Sequence, residues 1–295
     1  MLKMIDSLKD IIKDSEYIIL KNGEIVEKSS TSLDIDKSIS LKVIHFIDKD
    51  TNINLVLEED KNVHLEEIFY EIKNDVKIDI NIICKKNAHL EYLSFKKSDE
   101  NNNIKINVKA SLYEGAYIEN KNITALLSNT VYNQEFVLLE ENSKIDSLDI
   151  IINSSGNSQV FNFDTIHNVS NTSSEMHNYC ISKNASVIHM NTNGKIVKGA
   201  NGTNLNQKTK GILLDETSQI SANPWLVIDE YDCMASHGAS IGAIDEEELY
   251  YLMSRGLTRE NSERLIVEGF IHPFINELKD ESVKSYSLDW IKKVL

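Results

Sequence analysis

From about Ile39 to Ile228 apolar and polar residues alternate with a period of two. Val76, Ile78, Ile80, Ile82 and Cys84 share one phase, and Ile104, Ile106, Val108 and Ala110 share another. Successive side chains of a strand point to opposite faces, so this pattern predicts half-buried strands. Asn, Ser, Asp and Gly punctuate the runs. The chain holds only two Pro, which fits a strand-rich fold because Pro cannot donate to a ladder. The flanks differ. Leu2, Ile5, Leu8, Ile11 and Ile12 have helical spacing. They predict an amphipathic helix that packs on its own domain, with a partner-binding arm as the alternative. Asn22-Gly23 between two apolar runs predicts a hairpin over Tyr17–Val26.

A weak repeat runs through the strands: a turn residue, a small or short residue, any residue, then an aliphatic. It is seen at Asn62-Val-His-Leu65, Asn87-Ala-His-Leu90, Gly115-Ala-Tyr-Ile118, Asn142-Ser-Lys-Ile145 and Asn184-Ala-Ser-Val187, with a looser copy at Glu216–Ile220. The first four begin 25, 28 and 27 residues apart, and the 42-residue gap before Asn184 has room for a degenerate copy at Asn153–Ser158 or Asn171–Ser174. Recurrence in this range points to stacked coils, each burying its inner face on the next. A mainly β fold with a β-helix (β-solenoid) core is expected, in preference to an antiparallel sandwich with turns every 8–12 residues or so. The open ends of such a core need a cover: the helical C-terminus, a partner or a second copy.

The tail reads as helices. Asp245 is an N-cap, followed by Glu246, Glu247 and Glu248 at the positive end of the helix dipole. Leu249, Leu252 and Met253 form its apolar stripe and Gly256 ends it. A second helix starts at Thr258–Ser262, with Leu265, Ile266, Gly269, Phe270 and Phe274 as its stripe and Pro273 as a stop or kink. A short last helix is expected over Leu288–Leu295. The resulting division is 1–34 for a helix and hairpin, 35–243 for the β-helix core and 244–295 for a helical segment.

The net charge of −15 repels phosphate backbones, and no basic cluster offsets it, which argues against nucleic-acid binding. Three Cys, Cys84, Cys180 and Cys233, are few, odd in number and widely spaced, unlike a disulfide framework. No signal-peptide pattern or membrane-length apolar run is present. A cytoplasmic protein is expected. No P-loop, dinucleotide fingerprint, nucleophile elbow, His-Glu-x-x-His or Cys-x-x-Cys occurs, so the chain carries no signalled ATPase, dehydrogenase, hydrolase or simple zinc chemistry.

Cys233 and His237 are the best candidate pair, since thiolate and imidazole hold soft and borderline metals and iron–sulfur clusters. Ser236-His-Gly-Ala reads as a turn, and Asp229, Glu230 and Asp232 add oxygen donors nearby. Two such residues do not complete a site, so other ligands come from another strand or chain. On residue type alone a buried Cys and a hydrogen-bonded His at a strand end outweigh a ligand pair. Cys84 is in phase with the core face of its strand. Cys180 has His177 and His189 near it in sequence, and packing outweighs a ligand role there. His167 reads as a strand residue with a satisfied ring. Tyr250 and Tyr251 cannot both point inward from one helix, which marks an interface there.

The junction residues Pro224-Trp-Leu-Val-Ile228, Ala235-Ser-His-Gly-Ala-Ser-Ile-Gly242, Asp245–Leu252, Ser254-Arg-Gly-Leu257 and Leu265-Ile-Val-Glu-Gly-Phe270 resemble the SufB/SufD scaffold proteins of iron–sulfur cluster assembly. A looser match reaches back through Leu213-Leu214 and Gln207 to Ser174, Thr172 and His167. The resemblance implies a non-catalytic scaffold with a β-helix core. It further implies C-terminal helices docking a SufC-type ABC ATPase, which suits the missing P-loop, and pairing of two such chains as a heterodimer or homodimer. His237 falls on a proposed ligand of the nascent, transient cluster. Lys208 stands where SufB-type chains carry a Cys, and Cys233 where SufD-type chains carry an aliphatic residue. The chain looks like a compact scaffold that pairs with itself and contributes Cys233 and His237 from each copy. Glu248, Tyr250, Tyr251, Arg255 and Phe270 are the expected ATPase-docking residues. A SufD-like structural or regulatory subunit that binds no cluster is the alternative, and a carbohydrate-active β-helix enzyme ranks last.

Overall fold

The computed structural model describes residues 8, 16–29, 39–276 and 281–295. Of the expected helix over Leu2–Ile12, only Leu8 lies within the described residues, and it is buried. Strands β1 (Tyr17–Lys21) and β2 (Glu24–Lys28) form the expected antiparallel hairpin, with Asn22 and Gly23 at positive φ. The chain then winds as a β-solenoid of about eight turns. One wall is β3 (Ile39–Ile47), β5 (Asn62–Ile72), β7 (His89–Ser98), β9 (Tyr117–Leu126), β11 (Lys144–Asn153), β13 (Ser173–Ser182), β15 (Thr203–Leu213) and β17 (Cys233–Ala243). With the hairpin these make a ten-stranded sheet ending at β17. The opposite wall has seven strands: β4 (Thr51–Leu57), β6 (Val76–Cys84), β8 (Asn103–Leu112), β10 (Asn129–Leu138), β12 (Ser158–His167), β14 (Val187–Ile196) and β16 (Gln219–Ile228). Neighbouring coils pair in parallel.

The repeat is a corner of the coil. Asp60, Asn87, Gly115, Asn142, Asn171 and Gly202 all have positive φ and precede strands of the ten-stranded sheet. Asn, Asp and Gly are the residues that enter this region at least cost. Each backbone N–H at the corner bonds across to the next coil, as from Asn87 to the Glu114 carbonyl (2.8 Å) and from Gly115 to that of Glu141 (3.0 Å). The structure therefore corrects the register read from sequence. The first copy begins at Asp60 rather than Asn62, and the copy inside the long gap is Asn171. Asn184 and Glu216 belong to the other corner, which feeds β14 and β16.

Two apolar layers form. The lumen between the walls holds Ile78, Ile106, Leu90, Ile118, Ile145, Phe161 and Phe163. The outer face of the ten-stranded sheet holds Ile44, Ile68, Phe95, Ile123 and Ile150, packed under the C-terminal helices. Three helices follow the core: α1 (Glu246–Ser254), α2 (Arg259–Ile275) and α3 (Glu281–Val294). Asp245 caps α1 as expected, accepting from the N–H groups of Glu247 and Glu248. The packed side of α2 is Val267, Ile271 and Ile275 with Ile266 and Phe270, while Leu265 from the expected stripe faces solvent. Helix α2 runs past Pro273 to Ile275, and α3 starts seven residues before Leu288. The helices lie along the side of the solenoid, held by Trp290 Nε1 donating to the Ala125 carbonyl at 3.0 Å. They do not close its end.

Candidate functional site

The last coil, β16 and β17, is the edge of both sheets. Nothing among the described residues stacks beyond it, so its strands present unpaired backbone groups. Trp225, Val227, Ile228, Tyr231, Met234 and Ile241 are exposed on this coil. Large exposed apolar side chains concentrated on an open edge mark an interaction surface.

The segment Ser236-His-Gly-Ala is strand here, correcting the turn read from sequence. It pairs in parallel with β15 along its whole length, and that ladder overrides the turn propensity of Gly238. Cys233, Ala235, His237 and Ala239 stack on Thr203, Leu205, Gln207 and Thr209, the lumen-facing positions of β15. Cys233 is half-buried among Ile196, Ala200, Leu205 and Leu226, and its thiol donates to the Glu230 carbonyl at 3.4 Å. His237 is exposed at the mouth of the lumen. Four residues of strand separate the two by about 13 Å, so they do not share one metal within a chain. Among the described residues no three His, Cys, Asp or Glu side chains converge to hold an ion. Glu230 is engaged as a turn brace: its carboxylate accepts from the N–H groups of Gly199 (2.8 Å), Tyr231 (2.8 Å) and Asp232 (3.2 Å). Those bonds, the Gly199 one foremost, hold its carboxyl below the usual range.

The other candidates separate. Cys84 and Cys180 are fully buried, and burial pushes both thiols up to about 12. They stay neutral and inert. His177 and Cys180 are three residues apart and so face opposite sides of β13. His189 is exposed and bonded to Ser221 Oγ at 2.7 Å. His167 is buried, with Thr172 Oγ1 at 2.7 Å and Ser174 Oγ at 2.9 Å as partners, and burial lowers its pKa to about 4.

Sequence reasoning missed a polar seam inside the lumen. His45 Nε2 meets Glu67 Oε1 at 2.6 Å, and Tyr92 donates to the same carboxylate. The desolvated Glu67 is nonetheless held below the usual range by the His45 charge and bonds. Lys96 bonds Ser94 and Asn122, and burial lowers its pKa to about 8. Asn122 donates to Asp149 at 2.8 Å, and Ser147 donates to that carboxylate at 2.6 Å. Register continues the seam from Asp149 through Asn178 to Thr209, while in the neighbouring column the apolar Met176 separates Ser147 from Gln207 and His237. The available signal was polar residues in the inward phase, such as Asn120 and Asn122 in β9.

On the helices, Glu248, Tyr250, Tyr251 and Arg255 are all exposed. Arg255 lies 5.1 Å from the centroid of the Tyr251 ring and donates to its hydroxyl at 3.3 Å. Phe270 is half-buried, packed on Tyr179 (5.7 Å) beneath the Lys210 ammonium (4.7 Å).

The chain is thus a β-solenoid with an open end bearing Cys and His, flanked by side-packed helices. The profile of the family described as SUF system FeS cluster assembly, SufBD core domain, matches residues 49–270, about three quarters of the chain. The chain belongs to this family. It is similar to the iron–sulfur cluster assembly protein SufD of Bacillus subtilis, at 45% identity over 100 residues, covering 34% of this chain and 23% of that one. It is also similar to iron–sulfur cluster assembly SufBD family proteins of Staphylococcus aureus and Staphylococcus epidermidis. Each is 30% identical over 204 residues, 68% of this chain and 43% of theirs. The chain spans less than half the length of these relatives. No helix among the described residues is long and apolar enough to cross a membrane.

Proposed function

We propose that this chain is a scaffold subunit on which an iron–sulfur cluster is assembled between two solenoid ends. Two copies meet through their last coils, and each contributes His237 and Cys233. The observation that carries the reading is the open end itself: unpaired strand edges, exposed apolar side chains and an accessible imidazole on one coil. Two thiolates and two imidazoles are a ligand set suited to iron–sulfur chemistry. A SufC-type ATPase docks on Glu248, Tyr250, Tyr251 and Arg255 at α1, while Phe270 of α2 packs behind α1 and against Tyr179 of the sheet. The chain performs no catalysis of its own in this scheme.

The test is anaerobic reconstitution with iron and sulfide, read by iron content and visible absorption, together with light scattering. Dimeric wild type that binds cluster, with loss in His237→Ala and Cys233→Ala, is expected. Undiminished cluster binding in both variants overturns the reading. Tyr250→Ala/Tyr251→Ala is expected to abolish capture of the ATPase while sparing the dimer. A second reading is favoured by Lys208, which stands where SufB-type chains carry Cys, and by the similarity to SufD. In it the chain is a structural or regulatory subunit that holds no cluster, and iron- and sulfide-free protein from anaerobic purification supports it.

A further inference from the structure

In the last two coils Asn193 Oδ1 and both polar side-chain atoms of Gln207 are buried without a hydrogen-bond partner among the described residues, and Gln207 is the one left wholly unbonded. It lies on the lumen side of β15 with 1% of its surface exposed. Neither its Nε2 nor its Oε1 has a hydrogen-bond partner among the described residues. An unbonded carboxamide in a closed interior lowers stability, and most buried polar groups avoid that state. The surroundings leave it room. Gly194 stands on the opposite wall, where a Cβ would come within 3.0 Å of Gln207 Nε2 and 2.6 Å of Leu205 Cδ1. Any larger residue at 194 would crowd the carboxamide. Directly above, His237 is the register partner of Gln207 on β17, about one strand spacing (~4.8 Å) away on the same side. The Gln207 amide and the His237 ring are thus two successive polar rungs above Met176, one buried and unbonded, the other at the open mouth.

Resting on the proposed ligand role of His237, we propose that Gln207 is a positioning residue for that imidazole. Its Oε1 accepts the N–H of the ring nitrogen that does not bind metal. The ring is then fixed in one tautomer, with its other nitrogen directed out of the solenoid end. Ligating imidazoles characteristically donate their second N–H to such an acceptor. The acceptor is held unbonded in the single chain because its partner becomes fixed only when the end is occupied.

The experiment uses the full chain, Co(II) alone as the probe and anaerobic titration read by d–d absorption. Thermal unfolding of the same samples is the second readout. Gln207→Leu is expected to weaken Co(II) binding about 10- to 100-fold while raising the unfolding midpoint, because it removes an unbonded buried group. Gln207→Glu, which keeps the acceptor oxygen, is expected to bind within a few-fold of wild type. A purely structural glutamine would move affinity and midpoint the same way in Gln207→Leu, and that outcome overturns the proposal. So does wild-type affinity in Gln207→Leu when His237→Ala has lost binding; in that case only the positioning role fails. Undiminished binding in His237→Ala removes the underlying ligand reading and the proposal with it.

Discussion

Trp290 Nε1 donates to the carbonyl oxygen of Ala125 at 3.0 Å, joining residues 165 apart in sequence. The bond occupies a backbone acceptor in the helix-covered half of β9 and ties α3 to the middle of the solenoid. Lys97 rests over the Trp290 ring at 4.7 Å and over Tyr70 at 4.6 Å, closing the same contact. Ser154 Oγ donates to the Val294 carbonyl beyond it.

Trp290→Ala removes a buried ring and leaves that carbonyl unsatisfied. A loss of about 3–5 kcal/mol is expected. Hydrogen exchange would show α3 and the outer face of β9 and β11 losing protection first, with the lumen strands unaffected until global unfolding.

The corner column gives a graded test. Gly115 has φ +65°, and a Cβ there would lie 2.5 Å from Asn87 Oδ1. Gly115→Ala is expected to cost at least ~1–2 kcal/mol from backbone strain alone, with the clash added. Asn142→Gly at the equivalent corner (φ 61° in the native chain) should shift stability far less, because Gly adopts that region freely. Urea unfolding of the two variants beside wild type measures the contrast.

Thiol reactivity should divide the three cysteines. Cys233 is half-buried near the mouth of the lumen, while Cys84 and Cys180 are enclosed and held neutral. Native protein at pH 8 is expected to release one equivalent of thionitrobenzoate from Ellman's reagent, and three after denaturation. Cys233→Ala should abolish the native reaction.

Stability should fall in mild acid through His167. Its pKa is about 4 when folded against 6.5 when unfolded, so between these values only the unfolded chain takes up the proton. The contribution is fully present above pH 6.5 and is lost as pH falls toward 4, about 3 kcal/mol in total. Urea midpoints from pH 7 to pH 4.5 should decline less steeply in His167→Gln.

Period-two alternation, the scarcity of proline and the recurring Asn or Gly corners were enough to specify strands and stacked coils, because strand faces and left-handed corners are local properties of residue type. The same holds for the Asp245 cap and for the rule that Tyr250 and Tyr251 cannot both point inward, which follow from one helix turn; that both are exposed came from the fold. Register was not local. As letters Asn62 fits the corner motif better than Asp60, whose next residue, Lys61, is long. Only the lateral pairing of Asn62 with His89 shows that Asp60 is the corner. The turn read at Ser236-His-Gly-Ala failed for the same reason, since a neighbouring strand supplied the hydrogen bonds that a turn would have made.

The candidate site divides along that line. Cys233 and His237 were legible as metal-binding residue types near each other in sequence, and their family resemblance lay in contiguous segments. Their separation by about 13 Å along one strand, and the placement of Gln207 directly under His237, came only from the fold. The seam of Glu67, Lys96, Asn122 and Asp149 was hidden too, because each sits on a different coil and a polar residue inside a strand names no partner. Sequence determined what each coil is made of, through propensities acting over a few residues. Tertiary structure decided which side chains meet, because stacking aligns positions 24 to 32 residues apart, where no local signal reaches.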